Sequence, residues 1–174
     1  MKRIIFDTSV YGRFAEDLDL TEKIGKFVPN EYVIYGAKVI RDELRETPKN
    51  IKLRDASKRI LLLKIYDFFV RKDHHDLKEN KLVIVLSQDY FKEYKRQKGS
   101  LSEDSMKNDL IIIATATIYQ LDIVVSDDEK SMLSDAAVNA YNSVNKRYGL
   151  KNPIFKKYSD FRREALRRFF QYGI

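Results

Sequence analysis

The sequence predicts an α/β protein with a mainly parallel central sheet of four to five strands between two layers of helices. Short apolar segments (KRIIF, YVIY, LVIVL, DIVV and PIF) alternate with longer segments whose apolar residues recur at helical spacing. Repeated strand-helix order is typical of a parallel sheet that helices cover on both faces. The length of 174 residues suits one domain, so we expect residues 1–174 to fold as a single unit.

Helical periodicity between the strands assigns the remaining elements. The predicted helices span about residues 11–27, 37–45, 53–71 and 106–119, followed by a helical insertion at about 131–148 and a basic C-terminal helix at about 159–172. The five apolar segments would then form the strands of the sheet.

Composition excludes two classes of site. The chain has no cysteine, so neither disulfides nor thiolate zinc sites contribute, and a reducing cytoplasm is the expected setting. The N-terminal apolar stretch is interrupted by Asp7, and the run LIIIATATIY is far shorter than a membrane span. We therefore expect a soluble cytoplasmic protein without membrane contact.

Positive charge is concentrated at the C-terminus. Residues 146–174 carry nine basic and two acidic side chains, which accounts for the whole net charge of +7. Such a segment with interleaved aromatic residues can bind a polyanion, although a solvated face of an amphipathic helix explains the same pattern. Four basic residues are the candidates for RNA contact. Arg163 and Arg167 lie on the predicted C-terminal helix, and Lys95 and Arg96 lie in the basic segment KEYKRQKGS.

Four carboxylates stand at the edges of apolar segments: Asp7 in RIIFDTSV, Glu43 in AKVIRDEL, Asp109 in KNDLIIIATA and Asp128 in IVVSDD. Strand ends and helix starts meet at one edge of an α/β sheet, so these acids can converge. Converged carboxylates resist ionisation unless a cation neutralises them. Oxygen ligands without His or Cys favour Mg²⁺ or Mn²⁺, which commonly serve phosphate chemistry.

Each acid also has a purely structural explanation. Asp7 could cap a helix, and Asp127 with Asp128 could form a turn. The negative charge of Asp109 could be stabilised by the positive N-terminal end of a helix dipole. Glu43 lies in a charged segment that a solvated helix face explains. The shared order of strand-Asp, helix-Glu, helix-Asp and strand-Asp nevertheless favours one common site.

The order of these motifs resembles the PIN domain, the metal-dependent nuclease fold of VapC-type toxins and other RNA-cleaving proteins. FDTSV is similar to the family's strand followed by Asp-Thr-Ser/Asn-Val, and VIRDEL to its helix carrying Glu-Leu. NDLIIIATA resembles Asp-Ala-Leu-Ile-Ala-Ala-Thr-Ala, and VVSDDEK resembles the Val-Thr-x-Asp segment. The likeness covers the chain to about residue 128, and the helix-like stretch at 131–148 departs from the usual family pattern.

The resemblance implies specific roles for these residues. It assigns the acidic cluster, and with it both catalysis and metal binding, to Asp7, Glu43, Asp109 and Asp128. Ser126 stands where the family often has Thr, and Thr8 or Ser9 would help to hold metal-bound water or phosphate. Asp127 is adjacent to the fourth acid and is the second choice for its position.

By the same resemblance, the expected function is hydrolysis of phosphodiester bonds in single-stranded RNA with Mg²⁺ or Mn²⁺, as in the toxin of a toxin-antitoxin pair. An antitoxin and a second copy of the chain are the protein partners that this implies. The alternative is a non-catalytic PIN-like protein that binds RNA or another partner. A phosphorylation-receiver domain is disfavoured because LVIVL, if it is the third strand, is followed by Ser87 and Gln88 rather than by an acceptor Asp.

Overall fold

A five-stranded sheet in which all neighbouring strands are parallel forms the centre of the protein, as a computed structural model describes it over residues 1–27, 31–70 and 75–171. In chain order its strands are β1 (Lys2–Phe6), β2 (Tyr32–Ala37), β5 (Asp76–Leu77), β6 (Ile123–Val125) and β7 (Ile154–Lys156). Between β2 and β5, the short strands β3 (Lys52–Leu53) and β4 (Ala56–Ser57) form a separate antiparallel hairpin. The predicted α/β fold with a parallel sheet is confirmed.

The helices pack in two main groups on this sheet. In chain order the helices are α1 (Thr8–Glu16), α2 (Leu18–Phe27), α3 (Lys38–Glu46), α4 (Lys58–Phe69), α5 (Lys81–Arg96), α6 (Glu103–Ile118), α7 (Asp135–Tyr148) and α8 (Tyr158–Gln171). In one group α1, α3 and α4 contact one another, and in the other α5 packs against both α6 and α7. Contacts between α3 and α6 bring the two groups together, and these helices carry Glu43 and Asp109 respectively.

The strand order β5-β2-β1-β6-β7 explains where a site can form. From the central strand β1 the chain proceeds outward to β2 and β5, and then returns to the other side of β1 with β6 and β7. A crevice forms outside the carboxyl ends of two strands where the winding reverses in this way. The Asp7 N–H donates to the Val125 carbonyl at 2.9 Å, so the ends of β1 and β6 lie side by side.

The predicted strand at LVIVL is wrong, because residues 82–86 belong to α5. The Asn80 side chain caps this helix by accepting a hydrogen bond from the Val83 N–H at 3.0 Å. Val83 and Leu86 are buried while Leu82 is 63% exposed, which is helical rather than alternating burial. The sheet position is taken instead by β5, two residues within the polar loop. Strand order, rather than the residues after LVIVL, therefore argues against a receiver domain, whose sheet order is 2-1-3-4-5.

Two other predicted helices have different bounds. The helix predicted at 11–27 is divided at Asp17, whose carboxylate caps α2 by accepting from the Leu20 N–H at 3.1 Å. The helix predicted at 53–71 begins only at Lys58, because the preceding residues form the hairpin. Arg54 and Asp55 at its tip have φ of 49° and 62°, so they turn the chain back instead of continuing a helix. The predicted end at Arg71 lies outside the described residues.

The C-terminal helices lie close to their predicted positions. The helix predicted at 131–148 occupies Asp135–Tyr148, and it ends at Gly149, whose φ of 66° is a left-handed C-cap. Residues 131–134 instead form a turn beside β6. The basic helix runs over Tyr158–Gln171, and its predicted last residue, Tyr172, lies outside the described part of the chain.

Candidate functional site

A cavity of about 370 Å³ at the carboxyl ends of the strands is lined by all four carboxylates of the sequence motifs. Asp7 follows β1, Glu43 comes from α3, Asp109 from α6 and Asp128 from the loop after β6. The other lining residues are Thr8, Ser9, Gly12, Leu44, Thr47, Lys58 and Leu62. The fold thus brings together acids that are separated by up to 121 positions in the chain.

Asp7 is the most enclosed of the four acids, with 5% of its surface exposed. Its carboxylate accepts hydrogen bonds from the hydroxyls of Ser9 at 2.7 Å and Ser126 at 2.8 Å. Burial raises the pKa of Asp7 above its usual value, although these hydrogen bonds partly oppose the shift. Ser9 and the buried Ser126 therefore both hold the same carboxylate oxygen, Oδ2.

Glu43 is the acid of its charged segment that faces the cavity. It accepts from the Thr8 hydroxyl at 3.0 Å and from the Asn108 amide at 3.4 Å. Burial raises the pKa of Glu43, and the charge of Asp7 adds to the increase. The preceding Asp42 instead pairs with basic side chains of its own helix at the surface.

Asp109 lies in the second turn of α6, because that helix begins at Glu103 with Ser102 as its cap. The stabilisation that a helix N-terminus gives to a negative charge fades within the first turn, so this explanation of Asp109 is weakened. Burial raises the pKa of Asp109 to about 7. That value also includes the Ser131 hydrogen bond, which lowers the pKa, and the negative charges of the other three acids, which raise it. The charges of all three other acids therefore affect the ionisation of Asp109.

Ser131 connects Asp109 with Asp128, and the sequence pattern gave no signal for it. Its hydroxyl contacts a carboxylate oxygen of Asp109 and one of Asp128, the latter at 2.6 Å. Burial raises the pKa of Asp128, but hydrogen bonds from Ser131 and from the Lys130 N–H outweigh it, and the pKa lies below the usual value. A serine hydroxyl has one proton and cannot donate to both acids at once. Because the pKa of Asp109 is raised and that of Asp128 is lowered, Asp109 is the more readily protonated of the two acids.

Asp127 has partners outside the acid cavity. Its carboxylate accepts from Arg13 Nε and from the Tyr158 N–H, both at 3.0 Å, so it caps the first turn of α8. It lines a neighbouring cavity of about 400 Å³ together with Arg13, Glu16, Asp17, Tyr158, Ser159 and Arg162. Of the two adjacent acids, Asp128 is the one that lines the cavity with the other three.

The four basic residues singled out for RNA contact lie outside both cavity linings. Arg163 is exposed and pairs with Asp160 at 2.6 Å, and Arg167 is exposed on the same helix. The Lys95 ammonium donates to the carbonyls of Gly99 and Leu101, and Arg96 pairs with Glu93. RNA contact by these residues stays a prediction. Arg162, one of the nine basic residues of the C-terminal segment, was not singled out, and it lines the cavity beside Asp127.

The carboxylate oxygens of the acid cavity are the type of ligand that a hard divalent cation takes. Their side chains are not arranged around one common point. None of the described ion pairs involves any of the four acids. Within residues 1–27, 31–70 and 75–171, no three His, Cys, Asp or Glu side chains are grouped so that they could hold a metal ion. The four carboxylates instead contact the hydroxyl groups of Thr8, Ser9, Ser126 and Ser131.

Comparison with known proteins supports the fold. A chain in the crystal structure of DNA-bound VapBC from Salmonella typhimurium has a similar structure, with a TM-score of 0.58 and 11% sequence identity over 91% of this chain and 99% of that chain. At this identity the likeness concerns the fold alone. No family model matches the sequence, and no curated protein matches it. In the described part of the chain, no helix is both long enough and apolar enough to span a membrane.

Proposed function

We propose that this protein is a ribonuclease that hydrolyses phosphodiester bonds of single-stranded RNA with Mg²⁺ or Mn²⁺ held in the acid cavity. The convergence of Asp7, Glu43, Asp109 and Asp128 on one cavity carries the proposal. Burial raises the pKa of Asp7, Glu43 and Asp109, and a divalent cation beside them would favour their ionised forms. Oxygen-only ligands select hard ions of the kind that serve phosphate chemistry.

The neighbouring hydroxyls prepare the acids for this role. Ser9 and Ser126 hold the Asp7 carboxylate, and Thr8 holds Glu43, so two of the acids keep their orientation through hydrogen bonds. Ser131 contacts the other two acids, Asp109 and Asp128. A bound divalent ion would supply an activated water and stabilise the charge developing on the phosphate.

A toxin role with an antitoxin partner is the finer form of this proposal. The PIN-domain resemblance of the motifs and the likeness to a chain of DNA-bound VapBC both favour it. In such a pair, activity would be suppressed while the partner is bound. Purified protein should therefore be assayed alone and after coexpression with any small protein encoded beside it.

A non-catalytic PIN-like protein that binds RNA or another partner is the second candidate. The observation in its favour is that the described acids are not grouped for metal binding as they stand. Binding of Mn²⁺ to the folded state would raise the unfolding temperature by mass action. A titration with no such stabilisation would favour the non-catalytic protein over the nuclease.

The direct test is incubation of labelled single-stranded RNA with Mn²⁺ or with excess chelator. We expect cleavage with Mn²⁺ that the chelator abolishes and that Asp7→Asn, purified in parallel, lacks. Hydrolysis by metal-activated water should leave 3′-hydroxyl and 5′-phosphate ends. Cyclic phosphates would instead indicate attack by the ribose hydroxyl, and chelator-resistant cleavage would contradict the proposed metal-dependent function.

A further inference from the structure

Lys58 is a basic residue inside the acid cavity, at the first position of α4. It is the one Lys or Arg among the described residues that line this cavity. Within the described part of the chain, its ammonium group takes part in no hydrogen bond or ion pair. Leu62, one helical turn later, lines the same cavity, so this face of α4 is directed toward the acids.

The backbone at Lys58 is held firmly in this position. Its N–H donates to the Ile51 carbonyl at 2.9 Å, which closes the base of the β3-β4 hairpin. At the hairpin tip, the Arg54 guanidinium donates to the Glu16 carbonyl at 2.6 Å and ties the hairpin to the end of α1. The start of α4 is therefore anchored to α1, whose first turn carries Thr8 and Ser9.

A purely structural role would make Lys58 the counter-ion of the acids. In that case its ammonium should form an ion pair with at least one of them, and among the described ion pairs none involves Lys58. A packing role alone is also disfavoured, since an ammonium group is strongly hydrated and keeps its partners in water or on a ligand. The cationic group is thus available for a ligand that enters the cavity.

A phosphodiester is the ligand whose charge this arrangement fits. Its negative charge must approach four carboxylates, and hydrolysis concentrates further negative charge on the phosphate oxygens in the transition state. A divalent cation offsets the carboxylates, which leaves the phosphate itself in need of a donor. A lysine on a flexible stem presents three N–H donors and can act as a point charge toward phosphate.

We propose that Lys58 is a catalytic residue whose ammonium group contacts a non-bridging oxygen of the phosphate under attack, an inference that rests on the proposed ribonuclease function. In the reaction, a water oxygen forms a bond to phosphorus and the bond from phosphorus to the 3′-oxygen breaks. One proton of that water ends on the departing 3′-oxygen, and the other is released to solvent at neutral pH. Lys58 keeps its own proton throughout and stabilises charge through hydrogen bonds.

Lys58→Gln tests this role in single-turnover cleavage of single-stranded RNA with saturating Mn²⁺. Removal of one donor to a developing negative charge lowers a rate by about 100-fold or more, and we expect a loss of that size. Lys58→Arg should recover part of the rate because it restores the charge. Lys64→Gln is the matched control, since Lys64 is an exposed lysine of the same helix outside the cavity lining. The control should cleave at the wild-type rate.

Two further readouts separate phosphate contact from a structural role. The Mn²⁺ concentration at half-maximal thermal stabilisation should be no higher in Lys58→Gln than in wild type, because loss of a nearby positive charge does not weaken binding of a cation. A wild-type cleavage rate in Lys58→Gln overturns the inference. Full rescue of Lys58→Gln by excess Mn²⁺ also overturns it, because the residue would then serve the metal. Loss of cooperative unfolding in both Lys58 variants would assign a structural role and would likewise overturn it.

Failure of the ribonuclease function itself is distinguishable. If wild-type protein leaves RNA intact, binding of labelled RNA is measured by anisotropy with Ca²⁺, which takes the same kind of oxygen ligands. Weaker binding by Lys58→Gln than by wild type and Lys64→Gln would then support the phosphate contact without catalysis. Equal binding by all three proteins, or no binding by wild type, would overturn it.

Discussion

Asp127 and Asp128 are adjacent in the chain, yet the structure gives them different neighbours. Asp128 lines the acid cavity and contacts Ser131, whereas Asp127 accepts from Arg13 and caps α8. We predict that Asp128→Asn lowers RNA cleavage by about 100-fold or more, because it removes a carboxylate that would hold the cation that stabilises the developing charge. Asp127→Asn should cleave within a few-fold of wild type and lose no more than about 1 kcal/mol of stability with its ion pair to Arg13, because Asn can still cap α8. Single-turnover rates and urea unfolding would measure both effects, and the reverse pattern would place Asp127 in the site.

The raised pKa of Asp109 predicts how the stability of metal-free protein depends on pH. Between its usual value of 3.8 and about 7, the folded state holds a proton that the unfolded state has lost, so stability falls as pH rises through this window. Each unit of pKa shift corresponds to about 1.4 kcal/mol, which limits the loss to about 4 kcal/mol. Asp109→Asn should flatten this dependence and be more stable than wild type above pH 7. Urea unfolding in chelator at several pH values would measure it, and parallel curves for the two proteins would exclude a buried, strained Asp109.

At the scale of residues, sequence patterns located the acids but not their partners. The four carboxylates are recognisable because each stands at the edge of an apolar segment and they occur in a fixed order. No sequence pattern of this kind identifies Ser131. Its position depends on a turn in which the Asp128 carboxylate accepts from the N–H groups of Lys130 and Ser131, at 3.0 Å and 2.9 Å. That turn depends on where α7 begins, and helix periodicity placed its start four residues too early.

At the scale of elements, α5 is the clearest difference between prediction and structure. Five consecutive aliphatic residues are typical of a buried strand, but the whole segment from Lys81 to Arg96 has buried positions at helical spacing. The Asn80 cap and the length of the helix outweigh the strand preference of its valines and isoleucine. The actual edge strand β5 has only two residues, too few to form a recognisable pattern.

The helical assignment of this segment predicts the effect of two valine substitutions. Val83 is fully buried and Val85 is 47% exposed, although a strand would direct both to the same face. Val83→Ala should therefore cost about 1 to 3 kcal/mol, and Val85→Ala less than about 0.5 kcal/mol. Chemical unfolding of both variants is the measurement. Similar costs at the two positions would indicate a strand rather than a helix.

For the whole molecule, the basic C-terminal helix is predicted to contribute RNA affinity rather than chemistry. Arg163→Glu combined with Arg167→Glu should weaken RNA binding and reduce its salt dependence by about 0.7 slope units per lost phosphate contact. Mn²⁺ binding should be nearly unchanged, because neither residue lines the acid cavity. Lys64→Glu combined with Lys81→Glu makes the same change of net charge elsewhere and serves as the control. Equal loss in both double variants would assign the effect to overall charge.

The fold of the whole molecule was more predictable than its individual strands. Alternation of apolar segments and helices is enough to indicate a parallel α/β sheet, even though one segment was assigned to the wrong type of element. The order of the strands in the sheet could not be predicted from this alternation, because it depends on long-range packing between helices and strands. That order nevertheless decides the site, since it brings the ends of β1 and β6 together where the winding reverses.

The central claim is that the four acids act together as one metal site, and calorimetric titration of Mn²⁺ tests it most directly. Wild-type protein should bind Mn²⁺ at neutral pH with release of protons, because Asp109 must lose the proton that its raised pKa retains. Asp7→Asn and Asp109→Asn should each lose most of this affinity while unfolding as cooperatively as wild type, and Asp127→Asn should bind like wild type. Equal Mn²⁺ affinity in wild type, Asp7→Asn and Asp109→Asn would contradict a shared metal site in this cavity.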